Sequence, residues 1–342
     1  MLDSQKETYR TAGVDLAAAA RAKELIKPLA RSTSRPGVIG EIGFFGGLFE
    51  APQGYDDPVL VSSTDSVGTK VKLAVQMGRL DTIGVDIVNH CVNDIFVSGA
   101  EPLFFLDYIG IGELVPEQAE QIVKGVASAC IEAGCALIGG ELAQMPALYQ
   151  KGDFDLVGFV VGVVERSRMI DGSTVQAGDV LLGVPSSGLH TNGYSLARRV
   201  LRTEEDPAVL EGVSPELGRS LGDALLEPHR AYYPMLKLAL PHLKAMAHIT
   251  GGGFTGNIPR VLPEDMAVEI ERSSWVVPPL FLMIQEAGGV GQADMDQVFN
   301  QGIGMVLIAS AEQAVAVKRQ VSEAFEIGRV VPWRGQDQVT LV

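Results

Sequence analysis

Three stretches of the chain combine glycine with small hydroxyl residues directly after an apolar run. They are Ser62-Ser-Thr-Asp-Ser-Val-Gly-Thr-Lys70, Ser186-Ser-Gly-Leu-His-Thr-Asn-Gly193 and Thr250-Gly-Gly-Gly-Phe-Thr-Gly-Asn257. Glycine lets backbone N–H groups converge on an anion, and Ser or Thr hydroxyls add donors. One such loop carries little, because tight turns need glycine anyway. Three in one chain, two of them also holding a charged or titratable residue, point to phosphate ligands. Carboxylates lie beside these loops: Asp65 inside the first, Asp94 on a helical stretch from Asp81 to Ser98, and Glu141 after the strand-like ALIGG. Carboxylates at strand and helix ends are what Mg²⁺ requires when it shares a nucleotide's oxygens. Each also has a plainer reading on its own. Asp65 can serve as an Asx turn or helix cap, and the stripe Asp86, Asn89, His90 and Asn93 reads equally as a solvated helix face. His190, between Gly188 and Gly193, is placed to donate to a phosphate or to exchange a proton near neutral pH. His90, His229, His242 and His248 read as residues that satisfy local structure.

Two familiar phosphate motifs fail on inspection. Gly251-x-Gly253-x-x-Gly256 fits the dinucleotide fingerprint, with Glu271 about 20 residues further on. Only NIPRVLPED separates it from the next strand, too short for the crossover helix of a βαβ unit. No Gly-Lys-Ser/Thr occurs anywhere, so there is no Walker A loop.

The elements that position these residues alternate. Helices are expected over Asp15–Arg31, Asp81–Ser98 and Pro116–Ala133, the last ended by Gly134. Strands are expected at PVLVSS, LFFLDYIGIG, ALIGG and FDLVGFVVGVVE. In the second half VLLGV, AHIT, MAVEI, GIGMVLIAS and IGRVV read as strands. Helices are expected over Tyr194–Arg202, on either side of Pro228, near Pro279–Ala287 and over Ala311–Phe325. The pattern is α/β, or α+β in layers. The polar run RSRMIDGSTVQAGD marks a boundary near residues 166–178, giving domains 1–170 and 171–342. A length of 342 residues suits two domains at roughly 150 residues each.

Composition narrows the partners. Lys plus Arg number 27 against 42 Asp plus Glu, a net charge of −15, so a general nucleic-acid surface is excluded while local phosphate sites are not. The three cysteines, Cys91, Cys130 and Cys135, form no disulfide framework or zinc pattern and suit a reducing compartment. The start MLDSQKETYR lacks the features of a signal peptide, and the longest apolar run, near Leu156–Val164, is far too short to span a bilayer. A soluble cytoplasmic protein is expected. The residues alone therefore reach a two-domain, Mg²⁺-dependent, nucleotide-using enzyme with a second phosphorylated ligand.

At these loops the chain resembles the phosphoribosylformylglycinamidine cyclo-ligase (AIR synthetase) family. The resemblance rests on Tyr-x-x-Ala-Gly-Val-Asp from Tyr9, VLVSSTDSVGTK, CVNDIFVSGAEPLFFLDY from Cys91 and GGELAQMP from Gly139. It continues through DGSTVQAGDVLLGVPSSGLHTNGYSL from Asp171, HITGGGFTGNIPRVLP from His248 and FNQGIGM from Phe299, in family order over nearly the whole chain. It implies an N-terminal domain whose small sheet pairs with a second subunit's into a dimeric barrel, and a C-terminal α/β layer with helices on one side. The implied reaction turns ATP and formylglycinamidine ribonucleotide into aminoimidazole ribonucleotide, ADP and phosphate.

Carried over residue by residue, the resemblance assigns Asp65, Asp94 and Glu141 to Mg²⁺ on the ATP phosphates. It assigns Gly68, Thr69 and Lys70 to those phosphates, Asn93 to their alignment, and Lys27 to the nucleotide. Ser187, Gly188, His190, Thr191 and Asn192 would face the substrate, and Gly251, Gly252, Gly253 and Asn257 would hold a phosphate from the other domain. His190, Asp94 and Lys70 are the expected catalytic residues. The chain departs from the family pattern at Ser63, Ser66, Leu142 and Gln144, and loss of an acid at Gln144 leaves Glu141 as the one carboxylate of that loop. The expected partners are a small phosphorylated substrate and a second copy of the chain, with room for transient contact with neighbouring purine-pathway enzymes and with neither nucleic acid nor membrane. Two other readings remain. One is a related phosphotransferase resembling thiamine-monophosphate kinase or selenophosphate synthetase, against which stand the substrate loops and the lack of an N-terminal catalytic Cys. The other is a non-catalytic nucleotide-binding subunit, which predicts erosion of carboxylates that are all present.

Overall fold

The computed structural model describes residues 12–342 apart from 41, 44 and 336. Tyr9 and the N-terminal segment read above for a signal peptide lie outside the described residues. The N-terminal half begins with α1 (Leu16–Ser32), capped by Asp15, whose carboxylate accepts the N–H groups of Ala17 and Ala18. A short hairpin of β1 (Val38–Ile39) and β2 (Leu48–Phe49) precedes β3 (Pro58–Ser66), α2 (Lys70–Gln76) and α3 (Asp81–Phe96). Then come β4 (Glu101–Ile111), α4 (Pro116–Ala133), β5 (Ala136–Gln144) and β6 (Phe154–Glu165). The four long strands form a sheet in the order β3-β6-β4-β5. β4 and β5 run parallel because α4 provides their crossover, and the other pairs are antiparallel.

α3 and α4 cover one face of this sheet and pack closely on each other. A Cβ on Gly84 would lie 2.1 Å from the Ile122 carbonyl oxygen, and one on Gly125 would lie 1.9 Å from that of Asp81. Only glycine at both positions permits that approach. The opposite face carries Leu60 of β3, Phe159 of β6 and its cross-strand partner Leu106 of β4, with Leu60 64% and Phe159 40% exposed.

The C-terminal half contributes β7 (Val180–Pro185), α5 (Tyr194–Val200), the hairpin β8 (Val213–Ser214) and β9 (Arg219–Ser220), α6 (Leu221–Leu225) and α7 (Tyr232–Leu236). β10 (Ala245–His248), α8 (Gly253–Asn257), β11 (Met266–Ile270), α9 (Pro279–Gly288) and α10 (Gln292–Val298) follow. The last elements are β12 (Ile303–Ala309), α11 (Ala311–Gln320), β13 (Phe325–Pro332) and β14 (Val339–Leu341). The sheet order is β10-β12-β7-β13-β11-β14, antiparallel except for β11 with β14. Every residue of β12 is buried because both of its faces are covered. Met305 and Leu307 pack with Tyr232, Leu236 and Val317 of α7 and α11, while Val306 and Ile308 pack with Phe254 of α8 and its neighbours. No crossover helix follows the Gly251–Gly256 loop, since β10 and β11 are not neighbours.

The elements expected from the sequence are present with small shifts at their ends. α2, α8, α10, β14 and the small hairpins were not anticipated, each being too short to show a period. The largest apolar core does not stop at the boundary between halves. It runs from Ile83, Ile87 and Phe105 into Leu189, Tyr194, Leu225 and Phe281. Among the described residues no helix is long and apolar enough to cross a membrane.

One buried carboxyl in this fold stands apart. Asp107 lies on the helix-covered face of β4 opposite Gly140, whose Cβ would come within 2.0 Å of Asp107 Oδ1. Burial pushes its carboxyl up to about 7 from an ordinary 3.8. Because the folded value lies above the unfolded one, this group's contribution to stability is intact below pH 4 and is lost as pH rises through 7. Asp107→Asn should match the wild type at pH 4 and exceed it at pH 8. The gain is expected to be roughly 2 kcal/mol, discounted because the carboxyl is partly solvated. Urea unfolding at both pH values measures the difference, and equal stability at pH 8 would contradict it.

Candidate functional site

The polar stripe on α3 is buried, not solvated. Asp86, Asn89, His90 and Asn93 are each 4% exposed or less, because the backbone of residues 229–232 lies against them. The His229 N–H donates to Asp86 Oδ1 at 2.6 Å, Asn89 Nδ2 donates to the His229 carbonyl at 2.7 Å, and Asn93 Nδ2 donates to the Arg230 carbonyl at 2.8 Å. The Tyr232 N–H donates back to Asn93 Oδ1 at 3.0 Å. Asn93 thus has both ends of its amide occupied, and the structure does not place it for phosphate alignment.

Lys70 is also displaced from its expected role. Its ammonium is fully buried, with Asp86 Oδ1 at 2.9 Å and the carbonyls of Glu227 and His190 at 2.7 and 3.2 Å. An ammonium has three N–H bonds, and these acceptors use them all. Burial lowers the Lys70 pKa and raises that of Asp86, and each charge offsets the shift of the other. Lys70 therefore joins the halves, its ammonium turned to three acceptors within the protein.

Asp65 and Asp94 do converge. His90 Nε2 lies 3.0 Å from Asp65 Oδ2, and His248 Nδ1 lies 2.7 Å from Asp94 Oδ1. Ser63 Oγ donates to Asp94 Oδ2 at 3.3 Å, and the Ser66 backbone N–H donates to Asp65 Oδ1 at 2.8 Å, so of these two departures from the family pattern the Ser63 side chain contacts a carboxylate. Burial raises each carboxyl, but the histidine hydrogen bond and charge outweigh it and hold both below the usual range. Burial lowers His90, yet Asp65, then Asp94 and Asp86, raise it overall. Glu141 is not brought to this pair. It pairs with Tyr108 on the outward face of β5, three strands from β3, across about 14 Å of sheet. The three-carboxylate set is not assembled within one chain. Lys27 likewise stays apart, on α1, where it pairs with Glu24 at 2.9 Å.

The second loop closes over the same place. His190 takes a left-handed φ of 62°, rare for a residue with a side chain. The Ser187 N–H donates to His190 Nε2 at 3.2 Å, and Ser187 Oγ donates to the Pro228 carbonyl at 2.6 Å. Asn300 Nδ2 donates to the Gly188 carbonyl at 2.9 Å. Among the described residues, the N–H groups of Gly188, Leu189, His190, Thr191 and Asn192 find no partner. Nor do those of Gly68 and Thr69, while Thr69 Oγ1 lies 3.1 Å from Ser195 Oγ. Such rows of N–H groups suit anions. His190 Nδ1 and Asn192 Nδ2 are buried and unpartnered. The third loop meets the second where a Cβ on Gly251 would lie 3.1 Å from Asn192 Oδ1. Gly252 donates to the Gln297 carbonyl, and Gly253 turns at φ +59° against Asp296, where a Cβ would lie 1.7 Å from a carbonyl oxygen. Asn257 Nδ2 donates to the Gly253 carbonyl at 2.8 Å and faces those of Thr250 and Gly251. Its side chain shapes the loop and is not free for a ligand.

Three histidines read from sequence as local structure join this cluster. His229 stacks on His190 with ring centroids 3.9 Å apart, and its Nε2 lies 2.9 Å from His248 Nε2. His90 Nδ1 lies 2.8 Å from Thr191 Oγ1. Burial, reinforced by the surrounding positive groups, holds His190 and His229 well below the ordinary value, so both are uncharged. His242 alone stays apart, beside Gln313 and Gln320. No spacing in the sequence unites residues 90, 190, 229 and 248; tertiary packing does.

Comparison with known proteins follows the same layout. Residues 53–164 match the family model described as AIR synthase related protein, N-terminal domain, and residues 176–339 match its C-terminal domain. A phosphoribosylformylglycinamidine cyclo-ligase of Desulfitobacterium hafniense is 53% identical over 325 residues, 93% of this chain and 94% of that protein. One from Geobacillus thermodenitrificans is 51% identical over 336 residues, 96% of this chain and 97% of that protein. Among solved structures, thiamine-monophosphate kinase from Stenotrophomonas maltophilia superposes with a TM-score of 0.64 at 18% identity, covering 96% of both chains. The hydrogenase maturation protein HypE in complex with ATP gives 0.64 at 18%, covering 94% of this chain and 90% of that one. At that identity the likeness concerns the fold.

The Lys70–Asp86 pair supplies a test of the junction. Lys70→Met strands a buried carboxylate and should cost about 3–5 kcal/mol in denaturant unfolding. Lys70→Met with Asp86→Asn removes that charge while keeping an acceptor for the His229 N–H, and should cost less than the single change. A double variant less stable than the single one would contradict the account.

Proposed function

The chain belongs to the AIR synthase related family, in its phosphoribosylformylglycinamidine cyclo-ligase branch, and from that premise we propose how its residues divide the work. The protein is a C–N ligase of purine biosynthesis that converts ATP and formylglycinamidine ribonucleotide into aminoimidazole ribonucleotide, ADP and phosphate. ATP phosphorylates the formyl amide oxygen, making it a good leaving group. The ribosyl-bearing amidine nitrogen then attacks that carbon, phosphate departs and the imidazole closes. The protein's share is positioning and charge stabilisation.

The observation that carries the site reading is the convergence of Asp65 and Asp94 with the unpartnered N–H row of residues 188–192. Mg²⁺ takes oxygen ligands. Asp65 Oδ1 and Asp94 Oδ2 are not bound to histidine, and both carboxylates are held ionised. These two residues fit the ion and would hold it, and when bound it would offset the charge of the ATP phosphates. Gly68 and Thr69 offer N–H groups to those phosphates. Ser187, Gly188, His190, Thr191 and Asn192 face the substrate, and the Gly251–Gly253 turn approaches its phosphate from the C-terminal half, with the Gly251 N–H left to donate while those of Gly252 and Gly253 bond the Gln297 and Thr250 carbonyls. Because His190 Nε2 accepts the Ser187 N–H, the uncharged ring carries its proton on Nδ1, which is buried and lacks an acceptor. His190 therefore presents an N–H at Nδ1, and Nε2, taken by the Ser187 N–H, is not free to act as a base.

The half-exposed apolar face of β3 and β6 supports a homodimer formed sheet to sheet. The division into domains 1–170 and 171–342 accords with the polar run between β6 and β7. Three free, buried cysteines suit the cytoplasm.

Asp94→Asn should lower kcat by roughly 10²-fold or more while leaving the fold intact, measured by ADP release with saturating Mg²⁺-ATP. Wild-type turnover in that variant would remove Asp94 from the site. Leu60→Lys combined with Phe159→Glu should convert the dimer to a monomer in sedimentation equilibrium, and an unchanged mass would place the interface elsewhere.

A further inference from the structure

His229 is the side chain through which the separate parts of the cluster touch, and the functional reading leaves it without a role. It is 1% exposed and follows Pro228 in the segment before α7. Its backbone is fixed from below by α3, through the N–H to Asp86 Oδ1 at 2.6 Å and the carbonyl to Asn89 Nδ2 at 2.7 Å. Its ring stacks on His190 with an interplanar angle of 19°. One ring nitrogen, Nε2, faces His248 Nε2 at 2.9 Å, and the other, Nδ1, lies 3.5 Å from Thr191 Oγ1.

These contacts set the direction of each hydrogen bond. The Asp94 carboxylate only accepts, so His248 carries a proton on Nδ1, the atom 2.7 Å from Asp94 Oδ1. An uncharged His248 then presents a lone pair at Nε2, and His229 must donate its Nε2–H to it. His229 Nδ1 is left as an acceptor, turned toward the Thr191 hydroxyl. We propose that His229 is a positioning residue for ring closure, carrying the rigid placement of α3 to His190 by stacking and to His248 by a hydrogen bond. It does so without touching substrate or nucleotide. A side chain that misplaces its neighbours by about 1 Å costs on the order of 10²-fold in rate.

The proposal rests on the cyclo-ligase reading, and two variants separate the contributions. His229→Phe keeps a ring against His190 and loses the hydrogen bond to His248. His229→Gln keeps an N–H able to reach His248. His229→Phe should lower kcat about 10²-fold with the KM for ATP changed less than twofold, and His229→Gln should recover at least a tenth of wild-type kcat. A second readout needs no turnover. Imidazole ¹⁵N shifts of protein labelled only at its five histidines should show His229 protonated at Nε2 and His248 at Nδ1. In His229→Phe the fixed His248 tautomer should give way to a mixture. Full kcat in His229→Phe, no rescue by Gln, or an unaltered His248 tautomer in His229→Phe would overturn the proposal. An inactive wild type with the expected tautomers would overturn the reaction assignment and, with it, the role in ring closure, leaving only the placement of His190 and His248 by His229.

Discussion

The arrangement depends on a buried ammonium that must find three acceptors. Lys70 takes them from three places: the Asp86 carboxylate on α3, the His190 carbonyl in the Ser186–Gly193 loop, and the Glu227 carbonyl ahead of α7. A buried ion pair adds little net stability, because desolvation offsets its attraction. It does penalise any docking of the two halves that leaves the charge unmet. Asp86 is held in turn by the His229 N–H, and Asn89 and Asn93 bind the backbone on either side. One helix of the first half therefore fixes the backbone of a segment in the second. The site can lie at the junction without a flexible hinge within it.

Much of this was legible in the sequence, and the exceptions share a cause. Periodicity identified α3 and put Asp86, Asn89, His90 and Asn93 on one face, but it does not say what covers that face. A stripe bound to backbone and a stripe bound to water have the same spacing. Lys70 and Asn257 sit in loops rich in phosphate donors, yet their polar atoms satisfy carbonyls inside the protein. A loop that turns sharply exposes carbonyls as well as N–H groups. Alternation along β5 turns Glu141 away from Asp65 and Asp94. Gly140 shares the helix-covered face with Asp107, so Glu141 points outward. The histidines were missed because contacts such as His248 with Asp94 span 154 residues, a separation that carries no local signal.

The electrostatics resolve the conflict between an overall charge of −15 and phosphate ligands. The acidic excess sets the distant field, whereas the site combines two carboxylates with rows of backbone N–H groups. His90 and His248 hold Asp65 and Asp94 below the usual carboxylate range by hydrogen bond and charge. Uncharged His190 and His229 add hydrogen-bonding direction without adding charge.

The central claim is that this junction couples ATP cleavage to imidazole formation. The most direct measurement incubates the purified protein with Mg²⁺-ATP and formylglycinamidine ribonucleotide and follows ADP and the aromatic amine of the product together. Equal amounts of both are expected at every time point. ADP without the amine, or neither product from folded protein, would contradict the account.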